Sequence, residues 1–198
     1  LDDIPSDTKN NFLRKSLNQT TRLNSIIDDL LRLSRIEALE DENTFSLLKQ
    51  NLLAVIDGSI EDVSASLKKF NKKIIIECPK TLSAKIDAQL FREAINNLLE
   101  NAIKYSGDNP TLEILVKQNG KFTEIIISDQ GPGITAEEKQ QIFKKFYRVG
   151  SEISRSQKGS GLGLFITSEF IQLHKGRIKC ENNKPAGTKF IIELPNGE

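Results

Sequence analysis

Asn97, Asn101 and Lys104 stand four and three residues apart in "FREAINNLLENAIKYS", with Glu93 four residues ahead of them. On a helix that spacing aligns four polar groups along one face. Asparagine is a mediocre helix former because its side chain competes for backbone hydrogen bonds, so two in mid-helix ask for another task. A carboxamide oxygen can ligate Mg²⁺, and a lysine ammonium can meet phosphate charge. A plain solvated helix face is the alternative reading of the same pattern.

Two glycine-bearing stretches add further chemistry. In "SDQGPGI", Asp129 closes an apolar run and is followed by Gly131 and Gly133. A carboxylate there can accept a hydrogen bond from an exocyclic amine, and the glycines let a ring system approach the backbone. A tight turn after a strand would look the same. In "KGSGLGLFI", Gly159, Gly161 and Gly163 alternate directly before an apolar helical run. Glycine costs about 1 kcal/mol against alanine inside a helix, but glycines leading into a helix N-terminus leave backbone N–H groups bare for an anion. The Lys and Ser/Thr of a Walker loop are missing, and no strand directly precedes the stretch as a dinucleotide fingerprint requires.

The elements that must position these residues follow from periodicity. Asp7 to Glu40 contains neither glycine nor proline, and Leu13, Leu17, Leu23, Ile27 and Leu30 recur at heptad-like spacing. This reads as one long helix, with an apolar stripe that calls for partner helices. Beyond it, "FSLLKQ", "KKIIIECP" and "LSAKI" read as strands, "NLLAVIDGSIEDVSASLKKF" as one amphipathic helix, and Asp87 to Tyr105 as a strong helix. "TLEILVKQNG" and "KFTEIIISD" form a hairpin around Asn119-Gly120, and Ile134 to Phe146 is short and helical. The polar, serine-rich stretch Tyr147 to Ser160 reads as a mobile loop. Leu162 to Leu173 is a final helix, followed by strands "GRIKCEN" and "GTKFIIELP". Strands bunched at both ends with helices between imply an α+β fold, helices layered on one face of a mixed sheet.

Composition narrows the function classes. Lys plus Arg (28) almost balances Asp plus Glu (27), so no global basic field points to nucleic acid. The apolar runs are too short to cross a bilayer. Methionine is absent, so the chain reads as a cut-out piece or an edited sequence. Cys78 and Cys180 lack metal-ligand spacing and read as buried free thiols.

Four motifs in order make the combination specific. The chain resembles the catalytic, ATP-binding domain of bacterial sensor histidine kinases: "NNLLENAIKYS" matches the family's N box, "DQGPGI" its first glycine box, "IFKKFYRV" its F box and "GSGLGLFI" its second glycine box. "AGTKFIIELP" matches the closing strand, and "RLNSIIDDLLRLSRIEA" is similar to the second helix of the dimerisation and phosphotransfer hairpin. The resemblance implies a histidine-kinase/gyrase B-like sandwich over residues 42–198, preceded by an incomplete hairpin over 1–41.

The resemblance also implies the roles. Asn101 would hold Mg²⁺, with Asn97 beside it; Lys104 and Tyr105 would face the phosphates and the nucleotide. Asp129 would read the adenine amine, with Gly131 and Gly133 allowing close approach and Thr188 supporting it through water. Arg148 would reach the γ-phosphate and, with Asn97 and Lys104, form the phosphoryl-transfer set. Gly159, Gly161 and Gly163 would make the hinge of a nucleotide lid, with Leu162 and Leu164 beside them. ATP is the implied substrate, a response-regulator receiver domain the implied partner, and a homodimer through the hairpin helices the implied assembly. The piece would be cytoplasmic and the whole protein a membrane-anchored sensor.

One departure from the family pattern and one contrast with a rival family shape the expectation. The only histidine is His174, in "QLHKGRI" after the second glycine box, so it is structural and the acceptor histidine lies upstream of Leu1. Hydrolases sharing this fold carry a glutamate where Asn97 stands, and an asparagine has no useful basicity for activating water.

Overall fold

The computed structural model describes residues 5–42, 46–107, 111–149 and 160–196. The hydrophobic runs form a five-stranded mixed sheet. Its strands are β2 (Lys73–Glu77), β4 (Thr111–Asn119), β5 (Phe122–Ser128), β6 (Arg177–Asn182) and β7 (Thr188–Pro195), in spatial order β2-β4-β5-β7-β6. Only β2 and β4 run parallel; the remaining neighbours are antiparallel. Strand alternation sends Leu112, Ile114 and Val116 of β4, Ile125 and Ile127 of β5, and Phe190, Ile192 and Leu194 of β7 into the core. A separate antiparallel pair joins β1 (Leu48–Asn51) to β3 (Ser83–Ile86).

The central helix α4 (Ala88–Tyr105) starts where Asp87 accepts hydrogen bonds from the N–H groups of Gln89 and Leu90, both at 3.0 Å. Leu90, Ala94, Leu98 and Ala102, the expected ridge, are all buried. Helix α2 (Leu52–Asp62) packs on one side of α4 and α6 (Gly163–Leu173) on the other. The helical layer on a mixed sheet therefore stands as expected.

Two elements differ from the periodicity. The single helix expected over Asn51 to Phe70 breaks at Val63 into α2 and α3 (Ser64–Lys69). Asp62 at the break is held by Arg92 (2.5 and 2.6 Å) and Asn96 (2.8 Å) of α4, a tertiary anchor that periodicity does not encode. The helix expected over Ile134 to Phe146 shrinks to α5 (Ala136–Lys139), capped by Thr135 and Glu138 and followed by turns. Those turns end at Phe146, whose φ is +64°. The hairpin forms as expected: Asn119 faces Phe122 across its turn. Both cysteines are free, as expected, but half-buried rather than buried; desolvation still pushes the Cys180 thiol up to about 11.

The long helix α1 (Ser6–Glu42) is the least enclosed element. Leu13, Leu17, Leu23, Ile27 and Leu30 of its stripe are exposed. Its last third behaves differently. Ile36 is only 2% exposed and belongs to the same core as the helical layer, with Leu33 and Leu39 packed against it, and α1 lies along α6. Ile36→Ala should therefore lower stability by about 2–5 kcal/mol, whereas Leu23→Ala should stay within about 0.5 kcal/mol. Urea denaturation of the two variants separates these outcomes.

His174 closes α6 as a structural residue. Its Nε2 accepts from the Asp87 N–H at 3.0 Å, so Nδ1 carries the proton and donates to the Phe170 carbonyl at 2.5 Å. The neutral ring thus ties the start of α4 to the end of α6, edge-on to Phe91. Burial lowers its pKa below the usual 6.5. A depressed folded-state pKa favours the folded protein above pH 6.5, and that contribution fades as pH falls through the folded value. His174→Gln should cost about 1–3 kcal/mol at pH 7.5 by leaving buried groups unpaired. It should also flatten the loss of stability between pH 7 and 5 (about two units), as followed by denaturation at each pH.

Candidate functional site

Helix α4 presents Asn97, Asn101 and Lys104 along one side of a cleft of about 650 Å³. That volume is ample for a small-molecule ligand, for which about 300–1,000 Å³ is usual. Glu93, expected on the same face, instead lies beside Arg32 (3.8 Å) and Arg35 (4.0 Å) of α1. The upper end of the polar face thus seats a helix, and the lower end opens into the cleft.

Asn97 is oriented by α6. Its Nδ2 donates to Thr167 Oγ1 at 2.7 Å, and that hydroxyl donates to the Gly163 carbonyl at 3.0 Å. The Asn97 oxygen then lies against Gly163, where a Cβ would come within 2.5 Å of it. Glycine at 163 is therefore required by close packing of α6 on α4, with or without a ligand. Gly161 has φ +79° and would place a Cβ 2.9 Å from the Phe146 backbone, so both conformation and contact demand glycine there. Phe143 of the same turn segment packs edge-on against Phe190.

Asp129 forms the opposite end. It is 4% exposed, and its Oδ1 accepts from the N–H groups of Gly131 (2.8 Å) and Thr188 (3.2 Å). Both bonds fall on one oxygen, so Oδ2 is the atom available to a donor in the cleft. Burial raises the pKa of this carboxyl, while the two N–H groups oppose the shift. Thr188 supports Asp129 directly through its backbone N–H. Gly131 is pressed against the Tyr105 carbonyl, 2.2 Å from where a Cβ would sit. Its lack of a side chain serves that packing, and the cleft is lined by Pro132 and Gly133 instead.

Lys104 donates to the Tyr105 hydroxyl at 2.9 Å, with its ammonium 4.7 Å from that ring's centre. Arg148, Tyr105, Gly161, Leu164 and Thr188 also line the cleft. Leu162 does not: its side chain is fully buried in the core, directly between Gly161 and Gly163. Gly159, with most of the expected mobile loop, lies outside the described residues. Among the described residues no cluster of three or more His, Cys, Asp or Glu could hold a metal alone, so an ion here would share a carboxamide and a ligand's own oxygens.

One wall was not foreseen. Ser25, Asp28, Asp29 and Arg32 of α1 line the same cleft. The heptad pattern places them on a polar face, and only the docking of α1 on α6 turns that face inward.

A deep cleft between two helices, a buried carboxylate at the strand end and a glycine-rich helix start together describe a nucleotide-binding sandwich. Residues 86–198 match the model of the histidine kinase-, DNA gyrase B- and HSP90-like ATPases, and the chain belongs to that family. Among curated relatives it is 32% identical over 186 residues to the sensor protein kinase WalK of Staphylococcus epidermidis, covering 93% of this chain and 30% of that protein. It is 30% identical to the probable sensor kinase SilS of Salmonella typhimurium, covering 94% and 37%. The chain spans about a third of the length of these relatives. Among solved structures, the catalytic domain of the histidine kinase ThkA superposes with a TM-score of 0.67 at 27% identity, covering 77% of this chain and 97% of that one. The mycobacterial sensor histidine kinase MprB gives 0.64 at 28%, covering 75% and 97%. No described helix is long and apolar enough to cross a membrane.

The Asn97–Gly163 contact can be isolated by a double-mutant cycle. Gly163→Ala alone should destabilise by about 1–3 kcal/mol through overpacking. In an Asn97→Ala background the same change should be neutral or stabilising, because alanine is the better helix former once the carboxamide is gone. Chemical denaturation of the four proteins checks the sign reversal.

Proposed function

We propose that this chain is the ATP-binding core of a two-component sensor, which transfers the γ-phosphoryl of ATP to a histidine outside it. The observation that carries the reading is the convergence of Asp129, Asn101, Lys104 and Arg148 on one cleft. Asp129 Oδ2 would accept from the adenine amine. Lys104 and Arg148 would meet phosphate charge, and Tyr105, 44% exposed, would offer the base a ring face. Asn101 would hold Mg²⁺, which screens the phosphates when bound. Asn97, Gly131, Gly161, Gly163 and Thr188 act one step back, fixing the helix start and the carboxylate.

Transfer asks mainly for positioning and charge neutralisation. The acceptor imidazole nitrogen would bond to the γ-phosphorus as the bond to the ADP oxygen breaks. Nothing at Asn97 can deprotonate water, which favours transfer over hydrolysis. His174 is excluded as acceptor by its burial and by hydrogen bonds on both ring nitrogens. We assign residues 1–41 to the second helix of a dimerisation hairpin and 42–198 to the kinase body. The exposed stripe of α1 supports pairing with further hairpin helices and a homodimer. A response-regulator receiver domain is the proposed recipient of the phosphoryl group, and a membrane-anchored sensor with this piece in the cytoplasm the proposed setting.

Calorimetry with ATP tests the binding half. Asp129→Asn should weaken ATP by about 1–3 kcal/mol, because an amide donor would face the adenine amine. Asn101→Ala should cost more for Mg-ATP than for metal-free ATP. With labelled ATP, the chain alone should acquire no phosphate. Adding the hairpin with its histidine should give an acid-labile, base-stable product on the hairpin. Label on His174 would overturn the assignment.

A further inference from the structure

Asp29 of α1 is 9% exposed, although it sits on a helix whose neighbours are largely solvated. Its Oδ2 accepts a short hydrogen bond from Ser160 Oγ, and that same Oγ accepts from the N–H of Leu162 at 3.1 Å. Leu162 is the N-cap of α6, so a carboxylate from α1 is relayed through one hydroxyl to the positive end of α6. Arg32 is 3.4 Å from Asp29 and 3.8 Å from Glu93, with Arg35 also near Glu93. Asp28, Asp29 and Glu93 against Arg32 and Arg35 leave this seam with one negative charge in excess. Asp28 and Asp29 line the cleft together with Lys104, Arg148 and Gly161.

We infer that Asp29 and Ser160 form a latch that the polyphosphate of a bound nucleotide must displace, so α1 docking and ATP binding oppose each other. This rests on the nucleotide reading of the cleft. The physical cause is like charge in a confined space: a carboxylate at the start of α6 satisfies the donors an anionic ligand needs and repels that ligand. Because coupling between two binding events is reciprocal, a nucleotide that is weakened by the docked helix must loosen that helix by the same factor. Arg32 lies one turn from Asp29 on α1 and moves with it, so its contact with Glu93 of α4 is given up in the same step. The exposed stripe of α1 is thereby joined energetically to the nucleotide cleft, through the contact of Asp29 with Ser160.

Asp29→Asn tests the charge while keeping an oxygen for Ser160 to donate to. Its affinity for ATP, by calorimetry at low salt, should rise by a factor within the usual range of about 5–150. The gain should shrink for adenosine, which carries no phosphate. A fluorophore at Leu31→Cys, in a Cys78→Ser, Cys180→Ser background, should report faster helix motion on adding ATP to the otherwise native chain. Because Ser160→Ala removes the relay and a cap together, it is read only by this motion: the labelled helix should be fast before ATP is added. Equal or weaker ATP binding by Asp29→Asn, or a label whose mobility ATP leaves unchanged or slows, overturns the latch. If the native chain binds no ATP while Asp29→Asn does, the latch is supported in its strongest form. If neither binds, the nucleotide reading falls and the latch with it.

Discussion

The start of α6 lies so close to the middle of α4 that a side chain at Gly163 would collide with the Asn97 carboxamide. Gly163 faces the Asn97 oxygen where a Cβ would sit at 2.5 Å, and Thr167 holds the Asn97 amide in that orientation. From this contact follow the direction of α6, the position of its N-terminus and the depth of the cleft beside it. His174 secures the other end of the same helix to the start of α4. The two attachments make α4 and α6 one rigid layer, and the cleft is the space they leave in front of the sheet.

Glycine therefore has a different meaning here from the one phosphate chemistry first suggests. Gly131 and Gly163 are squeezed by the protein itself, against the Tyr105 carbonyl and the Asn97 carboxamide. Their missing side chains let α4, the β5 end and α6 converge. Ligand access comes from what that convergence leaves open. Asp129 shows the same economy: its Oδ1 is consumed by Gly131 and Thr188, which fixes the carboxylate and leaves a single oxygen to meet a ligand. Burial penalises the charge there, and a hydrogen-bond donor in the cleft would relieve that penalty.

The long helix belongs to two environments. Its first two thirds present an apolar stripe to solvent, as an element built for other helices would. Farther along, Asp29 reaches the cleft and Ile36 enters the common core. One rigid rod thus touches both a surface suited to assembly and the chemistry of the site, without any intervening hinge among the described residues of α1.

The sequence by itself determined the helical layer on a mixed sheet, the Asn119–Phe122 hairpin, and the polar set Asn97, Asn101, Lys104 and Asp129 that the structure brings to one cleft. Strand alternation and the 3.6-residue ridge of α4 are local properties, and polar residues on an apolar helix stand out without any coordinates. Only tertiary structure decided the break at Val63, the collapse of the Ile134–Phe146 helix to four residues, the burial of Leu162 and the removal of Glu93 to α1. It also decided that Asp28, Asp29 and Arg32 would wall the cleft. Three of these rest on a partner distant in sequence: Asp62 on Arg92, Glu93 on Arg32, Asp29 on Ser160. Periodicity states which face of an element is apolar, but a polar face carries no mark of whether water or another element will meet it.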